Sequence, residues 1–403
     1  MNKFKEILLK SKYELSVFSA LMMNFLLFFT KDDMMSDILY PLHLVDVKIG
    51  LISRTLIGTV SGLLWKHPTE ENIMFMHSSA VILTFFLISL YLGKCIKQAD
   101  EKSGRNLFIL SLIIAVFPYG FMTYLNLFEL LDIYWVMSAA LILLVSEHKK
   151  AAFLIPVFIF TGLWVHYSFV LAFMPLIYVL CINKCIKENS KNAYALTVLM
   201  IAVSVPATIY FVLTNRTFNV IPFEEFIDYI IEKAGSPITS IERYVGTGFR
   251  PYDEMNRLYN LVDMSEDSPT IFKALAGNLK MALHDTSLFA IICDFILASP
   301  VMLFFEAIWK RAIKTAEDKK EKFVYFLCLI SPLIQFVACF TSSDTSRWLS
   351  LMVISSLLML SVFIKENAAP VCSAFNTLAQ KGEKYKAVLI PILLFYLTLV
   401  FVW

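Results

Sequence analysis

Apolar runs of 16 to 22 residues recur along this chain from end to end. At a rise of about 1.5 Å per residue, a helix of that length crosses the hydrocarbon core of a bilayer. Composition agrees, because 58% of the 403 residues are hydrophobic and only 17% are charged. A soluble domain of this size carries more charge. A backbone inside lipid must satisfy its own hydrogen bonds, so the expected fold is all-α, a polytopic integral membrane protein. About eleven spans are expected, at 15–30, 75–93, 107–121, 133–146, 151–164, 168–182, 194–214, 287–309, 323–340, 349–364 and 387–403. Together they make one transmembrane domain over 1–403.

The opening MNKFKEILLKSKYE is basic, and no small-residue cleavage site follows it, so the first run reads as a retained span. With the N-terminus in the cytoplasm, 23 of the 35 lysines and arginines fall on the cytoplasmic side. The expected location is the plasma membrane, with the C-terminus outside. A net charge of +2 selects no partner class, and no basic-aromatic array points to nucleic acid. Seven cysteines, none in an outer loop by this topology, give no disulfide framework.

Two outer loops are long, 31–74 and 215–286. The first holds Asp32, Asp33, Asp37 and Asp46, with Lys48, Arg54 and Lys66. Its second half is predicted as an interfacial helix in which Gly50, Arg54, Gly58 and Gly62 share one face. Each glycine costs a helix about 1 kcal/mol against alanine, so the strip implies a close neighbour. A small-residue seam would meet that need, and it could also present Arg54 to a bound phosphate. Within the other long loop, Pro222 to Lys233 is predicted as a helix stopped by Gly235. A second helix is predicted after Ser268-Pro269. Between them lies ERYVGTGFRPYDEMNR, with Arg250, which suits a lid or a plain surface loop.

The short outer loops carry Glu129 and Asp132, then His166 and Tyr167, then Asp344 and Arg347. Asp344 with Arg347, and Asp46 with Lys48, also fit local salt bridges. Asp294 falls within the eighth expected span, where an ionisable group is costly and is either functional or paired. No metal or other cofactor is expected. No two histidines have metal-ligand spacing, which leaves only carboxylates to hold a divalent cation.

Carboxylates and arginines gathered at one membrane face suit sugar transfer from a lipid carrier. A carboxylate takes the acceptor hydroxyl's proton as general base. The departing polyprenyl phosphate needs positive charge, which an arginine fork supplies. A long acidic loop after the first span and a structured loop between the seventh and eighth resemble the GT-C class of membrane glycosyltransferases. That resemblance is one of layout, since KDD at 31–33 is the only motif near the catalytic position. It implies a catalytic Asp33 or Asp32, with Asp46 as a further candidate, and phosphate-binding Lys48, Arg54 and Arg347. His166, Arg250 and Asp344 complete the candidate substrate-binding set. The partners implied are a lipid-linked sugar donor, a glycan acceptor and membrane lipid, in cell-surface polysaccharide assembly. Polymerases that join oligosaccharide repeats share this layout. A lipid-linked glycan flippase is the reading from another class, supported by prolines within several spans and opposed by the lack of an internal repeat. A non-catalytic scaffold is a third.

Overall fold

The computed structural model describes residues 9–29, 39–122, 131–148, 151–217, 222–235, 287–339, 345–387, 390–391 and 394. Among these the chain is helical, with no strand. The helices are α1 (Lys12–Phe29), α2 (Thr55–Leu64), α3 (Glu70–Gln98), α4 (Glu101–Val116) and α5 (Asp132–Val145). They continue with α6 (Ile155–Val165), α7 (Met174–Glu188), α8 (Lys191–Thr217) and α9 (Phe223–Ala234). Last come α10 (Ser287–Thr315), α11 (Lys319–Cys339), α12 (Thr345–Lys365) and α13 (Ala369–Lys384).

Helices occupy every expected span but the last, most of which lies outside the described residues. Among the described residues, four are long and apolar enough to cross a membrane: Glu70–Gln98, Lys191–Val212, Ile291–Thr315 and Thr345–Lys365. The expected fifth span, 151–164, is met by a 3-10 turn, Ala151–Leu154, that runs into the 11 residues of α6. The sixth, expected at 168–182, is interrupted at Phe173, and the 15 residues of α7 begin after it, at Met174. Both are fixed by packing, α6 on α8 and α5, α7 on α11.

α12 is the central element. In its most apolar window 94% of residues are buried, against 17% for α10 and 22% for α8. Three of its serines ease this burial, because each returns its hydroxyl to the helix's own backbone. Ser350 donates to Ser346 O (2.9 Å), Ser355 to Met352 O (3.1 Å) and Ser361 to Leu358 O (2.7 Å). Small side chains then let α3, α4, α10 and α11 approach. The entry to α3 is set by a capping box. Thr69 Oγ1 accepts from Asn72 N (3.2 Å), and Asn72 Oδ1 accepts from Thr69 N (3.1 Å).

Charge divides the bundle into two unlike ends. At one end Lys365 reaches Glu147 (2.7 Å), Lys97 reaches Glu14 (2.5 Å) and Lys187 reaches Glu366 (2.5 Å), while Lys94 also meets Glu147. The other end carries α2, α9 and the start of α12, and holds the candidate residues.

The glycine strip is only partly helical. Arg54 is the residue before the helix, with φ 74°, and Gly50 has φ 131°. The predicted face of four therefore reduces to Gly58 and Gly62. The close neighbour of Gly58 is the chain's own preceding segment, and that of Gly62 is Lys233 of α9. A Cβ on Gly58 would stand 1.9 Å from Val45 O, and one on Gly62 would stand 2.5 Å from Lys233 Nζ. Backbone cannot yield as a flexible side chain can. Gly58→Ala is therefore expected to lower stability by about 2–3 kcal/mol, read as an earlier thermal midpoint in detergent.

Candidate functional site

α2 is held at both ends, by different partners. At its C-terminal end Asp46 is buried and paired with Lys233 of α9. Asp46 Oδ1 also accepts from Lys48 N at 2.8 Å, which caps the short turn Val47–Ile49. Tyr229 Oη accepts from Asp46 N (3.2 Å) and donates to Leu44 O (3.2 Å). Burial pushes the Asp46 carboxyl up. The bonds from Lys233 and the Lys48 amide, with the Lys233 charge, outweigh burial and hold it below the usual carboxylate range. A carboxylate so engaged is a weak proton acceptor. Asp46 anchors α9, where the sequence offered it as a base. Its expected partner Lys48 lies exposed and contributes a backbone amide instead.

The predicted helix of the long loop is present as α9, with Gly235 at its end in the left-handed region, φ 73°. Through Lys233 and Tyr229 it is strapped to the 44–46 segment. The second predicted helix and Arg250 lie outside the described residues, as do Asp32, Asp33 and Asp344.

The N-terminal end of α2 meets the connection between α6 and α7. Arg54 N donates to Trp164 O (2.9 Å), Tyr167 N to Ser53 Oγ (3.2 Å) and Trp164 Nε1 to Thr55 Oγ1 (2.9 Å). These bonds hold Arg54 in the left-handed region, which costs a non-glycine residue about 1–2 kcal/mol. The guanidinium lands on His166, with Nη2 against Nε2. Ser168 N donates to the other ring nitrogen, Nδ1, at 3.0 Å. A neutral imidazole carries one hydrogen and accepts at one nitrogen only. With Nδ1 accepting from Ser168, the ring hydrogen sits on Nε2 and faces the arginine. The two groups stand in direct contact, so an anionic oxygen would meet them from the side. Burial, then the charges of Arg54 and Arg347, keep the His166 ring neutral, well below its ordinary pKa.

Arg347 enters from the first turn of α12. Its Nε lies 3.2 Å from Asp132 Oδ2, both side chains being 10% exposed. The expected partner Asp344 lies outside the described residues, and among those described Arg347 pairs with Asp132, a residue of a separate segment. Trp135, three residues on from Asp132, sets its ring edge-on to His166 at 5.3 Å and tilted to Trp348 at 6.3 Å. The Arg347 guanidinium sits 5.8 Å from the Trp348 ring centre. Among the described residues the buried Trp135 Nε1–H has no hydrogen-bond acceptor.

Arg54, His166 and Arg347 therefore meet in one cluster walled by tryptophan. Asp46 does not join them. It contacts the Gly62 end of α2, about 12 Å along the helix from Arg54. The sequence supplied the three cluster members and placed Asp132 in an outer loop. It did not supply Trp135, Trp348 or the Asp132–Arg347 pairing. The i, i+3 spacing of Asp132 and Trp135 was the available sign, since it sets both on one helix face. Asp294, expected to be functional or paired, accepts a hydrogen bond from Tyr119 Oη at 2.6 Å.

Beside the cluster lies an aromatic–histidine core. His43 Nδ1 donates to Leu39 O (2.7 Å), Nε2 faces Tyr134 Oη (3.3 Å), and the His77 ring is 5.6 Å away. Burial lowers the His43 pKa to about 4. An unfolded chain takes up that proton near pH 6.5, so stability is full above 6.5 and falls as the pH drops towards about 4. The loss should reach about 3 kcal/mol. His43→Gln is expected to flatten this part of the stability–pH curve, measured by thermal unfolding at stepped pH.

Among the described residues no group of three or more His, Cys, Asp or Glu could hold a metal ion. No protein-family model matches the chain, and no curated protein or solved structure was found to match it.

Proposed function

We propose that this protein is a membrane glycosyltransferase that takes its sugar from a polyprenyl-phosphate carrier. In this reading the chain crosses the membrane eleven times, with the ion-paired end in the cytoplasm and the Arg54 cluster at the outer face. The lysine and arginine distribution supports that orientation. The single observation carrying the function is that Arg54 and Arg347, from separate segments, both act on His166. Two fixed cations and a neutral imidazole donor make a receptor for phosphate oxygens. The tryptophans keep water from its inner wall, which strengthens each electrostatic contact.

The leaving group is the carrier phosphate, released as an anion onto Arg54 and His166. Arg347, oriented by Asp132, adds long-range positive charge. The base is Asp33 or Asp32, because Asp46 is committed to Lys233. The test is sugar transfer by proteoliposomes supplied with a polyprenyl-phosphate sugar and a glycan acceptor. Asp33→Asn and Asp32→Asn are compared with Asp46→Asn. One of the first two should abolish transfer, and Asp46→Asn should act through stability alone. Full transfer by both Asp33→Asn and Asp32→Asn would overturn the mechanism. A ladder of products would assign the chain to repeat-unit polymerisation instead.

A further inference from the structure

The charged end of the bundle holds a second site candidate, remote from the Arg54 cluster. A groove of about 570 Å³ runs between α4, α10 and α13. Its α4 wall is Arg105, Ile109, Ile113 and Phe117, four positions on one helix face that climb about 18 Å from the bundle end. Phe375 and Leu110 close the floor, both buried. The groove opens sideways rather than onto the end, because Ile109 is 45% and Ile390 53% exposed at its edge. The polar lining is concentrated at the mouth, where Arg105 and Lys386 stand with one carboxylate, Glu383. Lys381 and Lys384 add charge in the last turn of α13.

An apolar slot open to the side with cations at its mouth complements one class of molecule, an amphiphile with an anionic head. We propose that this groove binds an anionic phospholipid of the adjoining leaflet, one acyl chain along α4 and its phosphate on Arg105 and Lys386. Glu383 is the competitor. It lies 3.6 Å from Arg105, with both side chains more than 60% exposed, and such a pair contributes at most about 1 kcal/mol. The phosphate displaces it at small cost. The placement of this end in the cytoplasmic leaflet rests on the orientation proposed above, but the binding itself does not.

The test is lipid retention. The full-length protein is equilibrated with phosphatidylglycerol or phosphatidylcholine of matched chains, and bound lipid is counted by native mass spectrometry. Wild type should retain phosphatidylglycerol in preference. The Arg105→Gln/Lys386→Gln double variant, altered only at the mouth, should lose that preference and keep its thermal midpoint. Glu383→Gln, which removes the competitor, should raise retention by up to about fivefold. Equal retention of both lipids by wild type would overturn the proposal. So would unchanged phosphatidylglycerol binding in the double variant. Neither result depends on glycosyl transfer, so failure here is separable from failure of the proposed function.

Discussion

Asp132→Asn is expected to cost about 3–5 kcal/mol of stability, because it leaves Arg347 buried beside a neutral amide. The pair is 10% exposed on each side and closes at 3.2 Å. The guanidinium is only 10% exposed in the native state, so water replaces little of the lost carboxylate. Exchanging both partners for apolar groups should be far milder. The Asp132→Leu/Arg347→Met double variant is expected to recover most of the single variant's loss, since no uncompensated charge remains. Thermal midpoints of the variants in one detergent decide this. If Asp132→Asn unfolded with the wild type, the pair would be an exposed contact of little weight. The double variant should still fail in sugar transfer, which separates the structural work of the pair from the charge that Arg347 supplies.

Arg54→Ala is expected to reduce sugar transfer by about 10²–10³-fold, the loss typical of one preorganised donor at a developing charge. Its backbone complicates a simple reading. Arg54 sits at φ 74°, where alanine is strained and glycine is not. Arg54→Gly should therefore be more stable than Arg54→Ala by about 1 kcal/mol and equally inactive. That pattern assigns the loss to the guanidinium. Activity recovered in the glycine variant would assign it to backbone strain instead. Arg54→Lys keeps the charge without the fork, and partial activity is expected of it.

Much of the fold was legible because lipid permits few solutions. Apolar runs marked the helices, and Pro222 with Gly235 marked α9 to within a residue. The start of α7 was not legible. Val170 to Phe173 is as apolar as the helix that follows, and tertiary packing decides where that helix begins. Arg54 illustrates a sharper limit. Its i, i+4 spacing with the glycines suits a helix, and nothing local forbids one. The left-handed turn is imposed by Trp164 O and by the Ser53–Tyr167 and Thr55–Trp164 bonds, all more than a hundred positions away.

The site shows the same division. Arg54, His166 and Arg347 stood out as polar residues against an apolar background. Their partners could not be read, since local pairing looks adequate on paper. Arg347 pairs with Asp132, far from it in sequence. Asp46 had Lys48 and uses Lys233, 187 positions on. In each case the native partner removes the charge from solvent, whereas a neighbour in an exposed turn would gain little.

The central claim is that the Arg54–His166–Arg347 cluster receives a phosphate borne by a lipid. The most direct measurement compares binding of a polyprenyl phosphate with binding of the matched polyprenol, in proteoliposomes, for wild type and Arg54→Ala. The phosphate form should bind wild type at least tenfold more tightly, and Arg54→Ala should erase that difference while leaving polyprenol binding unchanged. Equal affinity of wild type for alcohol and phosphate would contradict the claim, whatever the variants did.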